Sequence, residues 1–237
     1  MADDLAQGAE RFLEGLSSEE REYASSILAA CPTLEIDGGP RFATAFTAGA
    51  LLLVVEGFAV LRSTAGRGGR SVVTCEAAPG SVVLTPSADE VLAALGRCRL
   101  VVIDGDARRR LLQIPAIAER LVDQLAVALG QRQEATANFA PTHHVERVRR
   151  KLLQLGRSHG HVVPDGIRID FPVSHALLAE MIGSSRETVT RAVDELQRGG
   201  FVARRGSTYR LLVGPEVVLE RTDGASPATQ CDPGHIA

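Results

Sequence analysis

Apolar positions divide the chain into stretches of different period. Across residues 9–30, AERFLEGLSSEEREYASSILAA, they fall in small groups between charged residues, and Phe12, Leu13 and Leu16 form one cluster. Spacings of three and four residues predict helix here, and Ser18 with Glu20 close behind predicts the start of a second helix. From about 41 to 105 the texture changes. Short β-rich runs, ALLLVVEGFAVLR, SVVTCEAA, GSVVLT and CRLVVID, alternate with glycine-containing turns, the pattern of several short strands in a sandwich or roll. The run AGRGGR at 65–70 lies between two such runs with no helix after it. It therefore reads as an exposed hairpin loop and not as a phosphate cradle.

Helical spacing returns over 107–139. Ile117, Leu121, Leu125 and Leu129 recur every four residues, with Ala118, Val122 and Ala128 beside them. That is a broad apolar stripe on a helix of about 20–25 residues, started by Pro115 where a missing N–H costs nothing. One face suits the roll and another suits a second copy of the same helix. Pro141 ends it, and a shorter helix follows over about 142–155. The expected organisation is four parts: 1–113 with N-terminal helices and β-roll, 114–140 as a dimerisation helix, 141–215 as a third unit, and a tail from 216. The boundary is placed at Asn138–Thr142. The tail is rich in Gly, Pro, Ser and Thr without apolar periodicity, a composition that predicts disorder.

The densest signal lies in 167–213. IRIDFPVSHALLAEMIG predicts a strand, an N-cap at Ser174 and a helix closed by Gly183. Ser184 then opens the next helix, with Glu187 three residues on completing an S-x-x-E capping box. Two short helices across a glycine turn make a helix–turn–helix. GGFVARRGSTYRLLV adds two short strands around Arg205, Gly206 and Ser207, the wing of a winged helix. On a helical wheel with Arg186 at zero, Thr190 falls at roughly 40°, Glu187 at roughly 100° and Arg191 at roughly 140°, while Val189, Ala192, Val193 and Leu196 cluster at roughly 240–340°. The apolar set faces a core. The polar set forms a face that suits a DNA major groove, where Arg grips guanine O6/N7 and Glu accepts from cytosine N4. A solvated face of intrahelical ion pairs is the competing account, and the capped helix before it and the basic wing after it weigh against that account.

Charge sharpens this picture. The net charge of the 237 residues is −3, yet residues 142–213 hold twelve Arg/Lys against seven Asp/Glu, a local +5, leaving −8 elsewhere. An acidic body with a basic C-terminal segment predicts that the segment meets an anionic polymer. No run approaches the length of a membrane span, and the acidic start lacks a secretory pattern, so a cytoplasmic protein without membrane partners is expected. Cys31, Cys75, Cys98 and Cys231 form no CxxC and have no finger-spaced histidine, so no metal site is expected and the cysteines read as small buried hydrophobes. No Ser/His/Asp order, metal cluster or Walker loop supports an enzyme.

LLAEMIGSSRETVTRAVDELQRGGFV with its short wing resembles the helix–turn–helix signature of the Crp–Fnr family of bacterial transcription regulators. The matching positions are Leu178, Ala179, Gly183, Ser185, Arg186, Glu187, Thr188, Val189, Arg191, Leu196 and Gly200. Upstream, ARRRLLQIPAIAERLVDQLAVAL resembles the family's dimerisation helix and 41–105 its cyclic-nucleotide-type roll, so the resemblance covers about 20–215. It implies an α+β fold: a jelly-roll-like sensor domain, a long helix and a winged helix–turn–helix. It implies that Arg186, Glu187 and Arg191 read bases in TGTGA/TCACA-type half-sites. Ser174, Ser184, Ser185, Thr188, Thr190, Arg204, Arg205, Ser207 and Arg210 would supply secondary or phosphate contacts. It further implies a homodimer paired through Ile117, Leu121, Leu125 and Leu129, and RNA polymerase as a partner.

The family pattern breaks at the sensor. Members that bind cyclic AMP carry a Gly-Glu pair for the ribose and an Arg-Ser pair for the cyclic phosphate. Here PGSVVLTPSADEVLAALGRCRLVV has neither: Glu90 precedes Val91 and Arg97 precedes Cys98. A buried cyclic phosphate needs a guanidinium or several N–H donors. Cyclic AMP is therefore disfavoured unless a rebuilt loop brings in Arg97 or Arg99, and a degenerate roll in a protein active without ligand is the leading expectation. An iron–sulfur centre lacks its cysteines. For haem, His143, His144 and Cys75 are the candidate ligands, although the histidine pair reads as hinge surface. Two alternatives stay open: gating by another nucleotide such as a cyclic dinucleotide, or a metabolite-binding module whose winged helix makes protein contacts.

Overall fold

In a computed structural model, the residues described are 7–37, 40–42, 46, 49–63, 71–137, 144–169 and 172–214. The loop at 65–70, the boundary at Asn138–Thr142, His143, Cys231 and the tail lie outside them. Two helices open the chain, α1 (Gln7–Phe12) and α2 (Ser18–Ala29). The second is capped by Ser17, one residue earlier than expected: its hydroxyl accepts from the Glu20 amide and Glu20 reaches back to the Ser17 amide. Eight strands follow: β1 (Thr33–Asp37), β2 (Pro40–Phe42), β3 (Leu51–Glu56), β4 (Ala59–Ser63), β5 (Val72–Ala77), β6 (Val82–Leu84), β7 (Glu90–Ala94) and β8 (Arg97–Ile103). They form two antiparallel sheets, ordered β1-β8-β3-β6 and β2-β7-β4-β5.

The run ALLLVVEGFAVLR is two strands in different sheets and not one element. Gly57 makes the crossing with a positive φ of 73°. A Cβ there would lie 2.1 Å from the Arg97 carbonyl oxygen, so only glycine fits. The β4 and β5 strands that flank 65–70 pair with each other. Between the sheets lies a core of Ile36, Leu52, Val54, Leu61, Leu92 and Leu100. Both outer faces are covered too, which is why β3 is an almost unbroken apolar run. Leu51, Leu53 and Ile103 pack outward against the first helices and the start of the long one.

Helices α3 (Gly105–Leu111) and α4 (Pro115–Ala137) come next, then α5 (His144–His159), β9 (Gly160–Val163), β10 (Gly166–Ile169), α6 (His175–Ile182), α7 (Arg186–Arg198), β11 (Val202–Arg205) and β12 (Thr208–Leu211). The last four strands make a sheet ordered β11-β12-β10-β9. The apolar stripe of α4 is divided between two environments. Ile117 and Leu121 are 0% and 5% exposed in the chain's own core, whereas Val122, Leu125 and Leu129 are 65%, 41% and 58% exposed. The expected pairing face is thereby corrected: Ile117 and Leu121 are not available to a second copy, because α4 rotates that edge onto the roll. Gln124 fixes this docking by accepting from the Val82 amide at 2.6 Å and donating to the Gly80 carbonyl at 3.0 Å.

The third sheet and its helices share one apolar cluster with the roll. Val60, Val73 and Ala93 from the β4-side sheet join Leu152, Leu178, Ile182, Val193 and Tyr209. Two ion pairs cross the same contact: Arg62 Nε to Glu180 at 2.8 Å, and Lys151 to Glu76, both partners of the latter nearly buried.

Candidate nucleic-acid interface

α6 begins at Ser174, whose hydroxyl accepts from the Leu177 amide at 3.1 Å. It ends at Gly183 in the left-handed conformation (φ 61°, ψ 43°), and the Ser184 amide donates back to the Ala179 carbonyl. This turn aims α7 across α6. The N-cap of α7 is Ser185 and not Ser184: the Ser185 hydroxyl accepts from the Thr188 amide at 3.2 Å and meets the Thr188 hydroxyl at 2.9 Å. The expected S-x-x-E box is thus a serine–threonine cap shifted by one residue. Ser184 turns aside to His144 Nδ1 at 3.5 Å, which occupies one of the proposed haem ligands.

The shift leaves Glu187 at the second helical position and exposed, together with Arg186 and Arg191. Its carboxyl is held below the ordinary value by the backbone amide of Glu187 itself and by Ser185, helped by Arg186 and Arg191. It is therefore ionised and able to accept a hydrogen bond. Behind it, Val189, Ala192, Val193 and Leu196 are 0%, 2%, 0% and 7% exposed, the four apolar positions assigned to the core by the wheel. The result is a rigid rod anchored along one side, with two guanidiniums and a carboxylate facing water.

Thr190 does not share that freedom. Its hydroxyl donates to the Arg186 carbonyl at 2.9 Å and meets His175 Nδ1 at 2.9 Å, so it ties α7 to the first turn of α6. His175 has no helical-wheel signature that would single it out, and sequence reasoning missed it. Burial lowers its pKa first, and Arg204 and Arg186 add to that against Asp194. Arg147 was missed too. It is 8% exposed and donates to the Ile182 carbonyl, satisfying the end of α6 from α5.

In the wing, Gly206 turns with φ 64° between paired Arg205 and Thr208. The half-buried Ser207 accepts at its carbonyl from the Val173 amide at 2.8 Å, beside the start of α6. Arg204 and Arg205 are exposed, with Arg204 over the Tyr209 ring at 5.7 Å. Arg210 pairs with Asp165 at 2.5 Å.

Residues 146–213 match the family model of the Crp-like helix-turn-helix domain. The C-terminal segment is a Crp-like helix-turn-helix domain. Among curated relatives, it is 50% identical over 52 residues to the global nitrogen regulator of Synechocystis sp., covering 22% of this chain and 23% of that one. It is 30% identical over 111 residues to the CRP-like cAMP-activated global transcriptional regulator of Mycobacterium tuberculosis, covering 46% and 50%. The match thus spans a quarter to a half of the length of these relatives. Two solved structures share the overall fold. A CooA mutant from Carboxydothermus hydrogenoformans gives a TM-score of 0.67 at 16% identity, covering 82% of this chain and 89% of that one. The c-di-GMP responsive global regulator CLP of Xanthomonas campestris gives 0.62 at 22% identity, covering 84% and 100%.

The charged groups of the β-roll are tied up internally. Arg97 pairs with Glu35 and Arg99 with Glu56, each between neighbouring strands, so both guanidiniums already have a carboxylate. Glu90, 7% exposed, accepts from Thr74, Ser87 and both contacts of the Arg132 guanidinium at 3.0 and 3.2 Å. The Cys75 and Cys98 thiols are pushed up to about 11 by burial, which leaves them protonated. Among the described residues, no group of three or more His, Cys, Asp or Glu is placed to hold a metal ion, and no helix is long and apolar enough to cross a membrane.

Proposed function

We propose that this chain is a Crp–Fnr-type regulator, a homodimeric, sequence-specific DNA-binding transcription regulator of the cytoplasm. The observation that carries this reading is the exposed Arg186–Glu187–Arg191 triad on a helix whose opposite face is buried. Such a helix enters a major groove N-terminus first, with arginines on guanines and the carboxylate on a cytosine. TGTGA/TCACA-type half-sites suit that set. Ser174, Ser185, Thr188, Arg204 and Arg205 lie around the helix start and the wing, where phosphates would pass.

The pairing surface is the outward edge of α4. Ala118, Val122, Leu125 and Leu129 follow one another at spacings of four, three and four, the interval of a coiled-coil seam. Two copies joined there would present two recognition helices to one face of DNA, about 34 Å apart on a near-palindrome. A regulator at that site meets RNA polymerase as its next partner.

The roll acts without cyclic AMP in this reading. The cavity beside α4 holds about 230 Å3 and is lined by Glu76 and Asp123 among others. That is small for a nucleotide and carries the wrong charge for its phosphates. Thermal melts with cyclic AMP and cyclic di-GMP are expected to show no stabilisation; a true ligand at 100-fold over its Kd would add about 2.7 kcal/mol. The DNA reading is tested by titrating a palindromic duplex at several salt concentrations. Affinity should fall steeply with salt on specific and random DNA alike, with the palindrome bound far more tightly. Salt-insensitive binding, or none, would favour a winged helix that contacts protein.

A further inference from the structure

The helix–turn–helix and the roll meet through two kinds of contact that do different physical work. The apolar part sets Val60, Val73 and Ala93 of the roll, all small side chains, against the C-terminal core. Apolar burial is non-directional, so it holds two bodies together without fixing how one is turned on the other. The ion pairs add direction. Arg62 on β4 reaches Glu180 on α6 at 2.8 Å, and Glu76 on β5 pairs with Lys151 on α5. β4 and β5 are antiparallel neighbours, with Glu76 opposite Val60 and Arg62 opposite Val73. The two anchors thus sit on adjacent strands, offset by two residues or about 7 Å, and they grip different helices. A single anchor would be a pivot, whereas two on separate helices block rotation. Those helices are also joined to each other, because Arg147 of α5 donates to the Ile182 carbonyl of α6. The side chains of Lys151 and Glu76 are only 11% and 6% exposed, and a pair so desolvated adds little net stability. Its effect lies in the arrangement it selects.

We propose that Glu76, Lys151 and the Arg62–Glu180 pair are positioning residues that determine which separation of half-sites the dimer accepts. The inference rests on the homodimeric DNA-reading function proposed above. Glu76 is the node of this frame, because it has a second attachment: its backbone amide donates to Gln131 Oε1 of α4 at 3.1 Å. Gln131 lies two residues beyond Leu129 on the edge through which two copies would pair. A continuous path therefore runs from that edge through Gln131 and Glu76 to Lys151 on α5. From α6 it continues to α7 through the contact of His175 with Thr190. Arg186, Glu187 and Arg191 stay exposed while α5 and α6 are docked on the roll, so the contact places the reading face and does not cover it. One base pair inserted between half-sites moves one of them about 3.4 Å along the DNA and about a tenth of a turn around it. A head on a single pivot would follow that displacement, and a head held at two points does not. A mismatched separation then engages one half-site only and forfeits the gain from joint binding, about 10²–10⁴-fold.

A series of palindromes with identical half-sites and spacers lengthened or shortened one base pair at a time tests this on the full chain. The unmodified protein should bind one spacer at least about 100-fold more tightly than its neighbours in the series. Glu76→Gln and Arg62→Glu should each reduce that difference to about tenfold or less, while affinity for a single half-site stays unchanged. Because Glu76 is buried, its variant is paired with a test at the half-exposed anchor: the exchange Arg62→Glu with Glu180→Arg should restore the spacer preference that Arg62→Glu alone removes. An unchanged spacer profile in both single variants overturns the proposal. So does equal weakening on half-site and palindrome, which would place the effect in the reading helix itself, and so does a charge exchange that restores nothing. Failure of the unmodified protein to prefer any palindrome over a half-site or random DNA would instead refute the dimeric DNA-reading function, a distinguishable result.

Discussion

Arg186 and Ser185 are adjacent, yet they do different work, and single substitutions separate them. Arg186 is exposed and makes no capping bond, so Arg186→Ala should leave the melting temperature unchanged. It should cost about 1–3 kcal/mol of specific binding and relax preference at one guanine in a mobility-shift series. Equal loss on specific and random DNA would show that Arg186 touches only phosphate. Ser185→Ala removes the N-cap of α7 and should cost about 1 kcal/mol of stability in denaturant titration, whereas Ser184→Ala should be close to neutral. That contrast is a direct test of the cap register. The sequence placed the cap one residue early because both Ser184 and Ser185 satisfy a capping pattern, and only the backbone after Gly183 decides between them. The exposed triad and the four buried positions of α7 were legible from periodicity, since amphipathic spacing is local. His175 and Arg147 were not, because their partners lie 15 and 35 residues away.

Between elements, the α6–α7 angle depends on the His175–Thr190 contact. Thr190 gives its proton to the Arg186 carbonyl, so it accepts from His175 Nδ1, which requires the ring to carry its proton there. Nε2 is buried without a hydrogen-bond partner among the described residues. Protonating it places a third positive charge beside those of Arg204 and Arg186, and the folded pKa lies below the ordinary 6.5. A histidine lowered on folding contributes stability at pH above its unfolded value, and that contribution is lost as pH falls, because the unfolded chain takes up the proton first. Melting temperature should therefore decline below about pH 6.5 more in the unmodified protein than in His175→Gln. Parallel pH profiles would remove His175 from this role. Elements were read unevenly in the sequence for a related reason. β7, with the sequence EVLAA, consists mostly of helix-forming residues, and its pairing with β2 and β4 makes it a strand. Similarly, β2 and β9 are too short to carry a period of their own, so their strand state comes from neighbours.

At the scale of the whole molecule, α4 has two apolar edges in different surroundings. Its inner edge is bound to the roll through Ile117, Leu121, Gln124 and Arg132, and its outer edge exposes Val122, Leu125 and Leu129. Leu125→Glu should convert a dimer to a monomer in sedimentation equilibrium without unfolding the roll, and should weaken palindrome binding more than half-site binding. A variant that remains dimeric would place the contact elsewhere. The spacing of four residues revealed the stripe but not its division, because rotation of a helix about its axis depends on what it packs against. The cluster that joins Val60, Val73 and Ala93 of the roll to the helix–turn–helix core has a different consequence. Neither half owns all of its interior, so neither can lose its structure while the other keeps it. Calorimetry should record one endotherm for the chain, not two. A fragment limited to 146–213 should melt below the intact protein, since separation would wet the face that the roll now keeps dry.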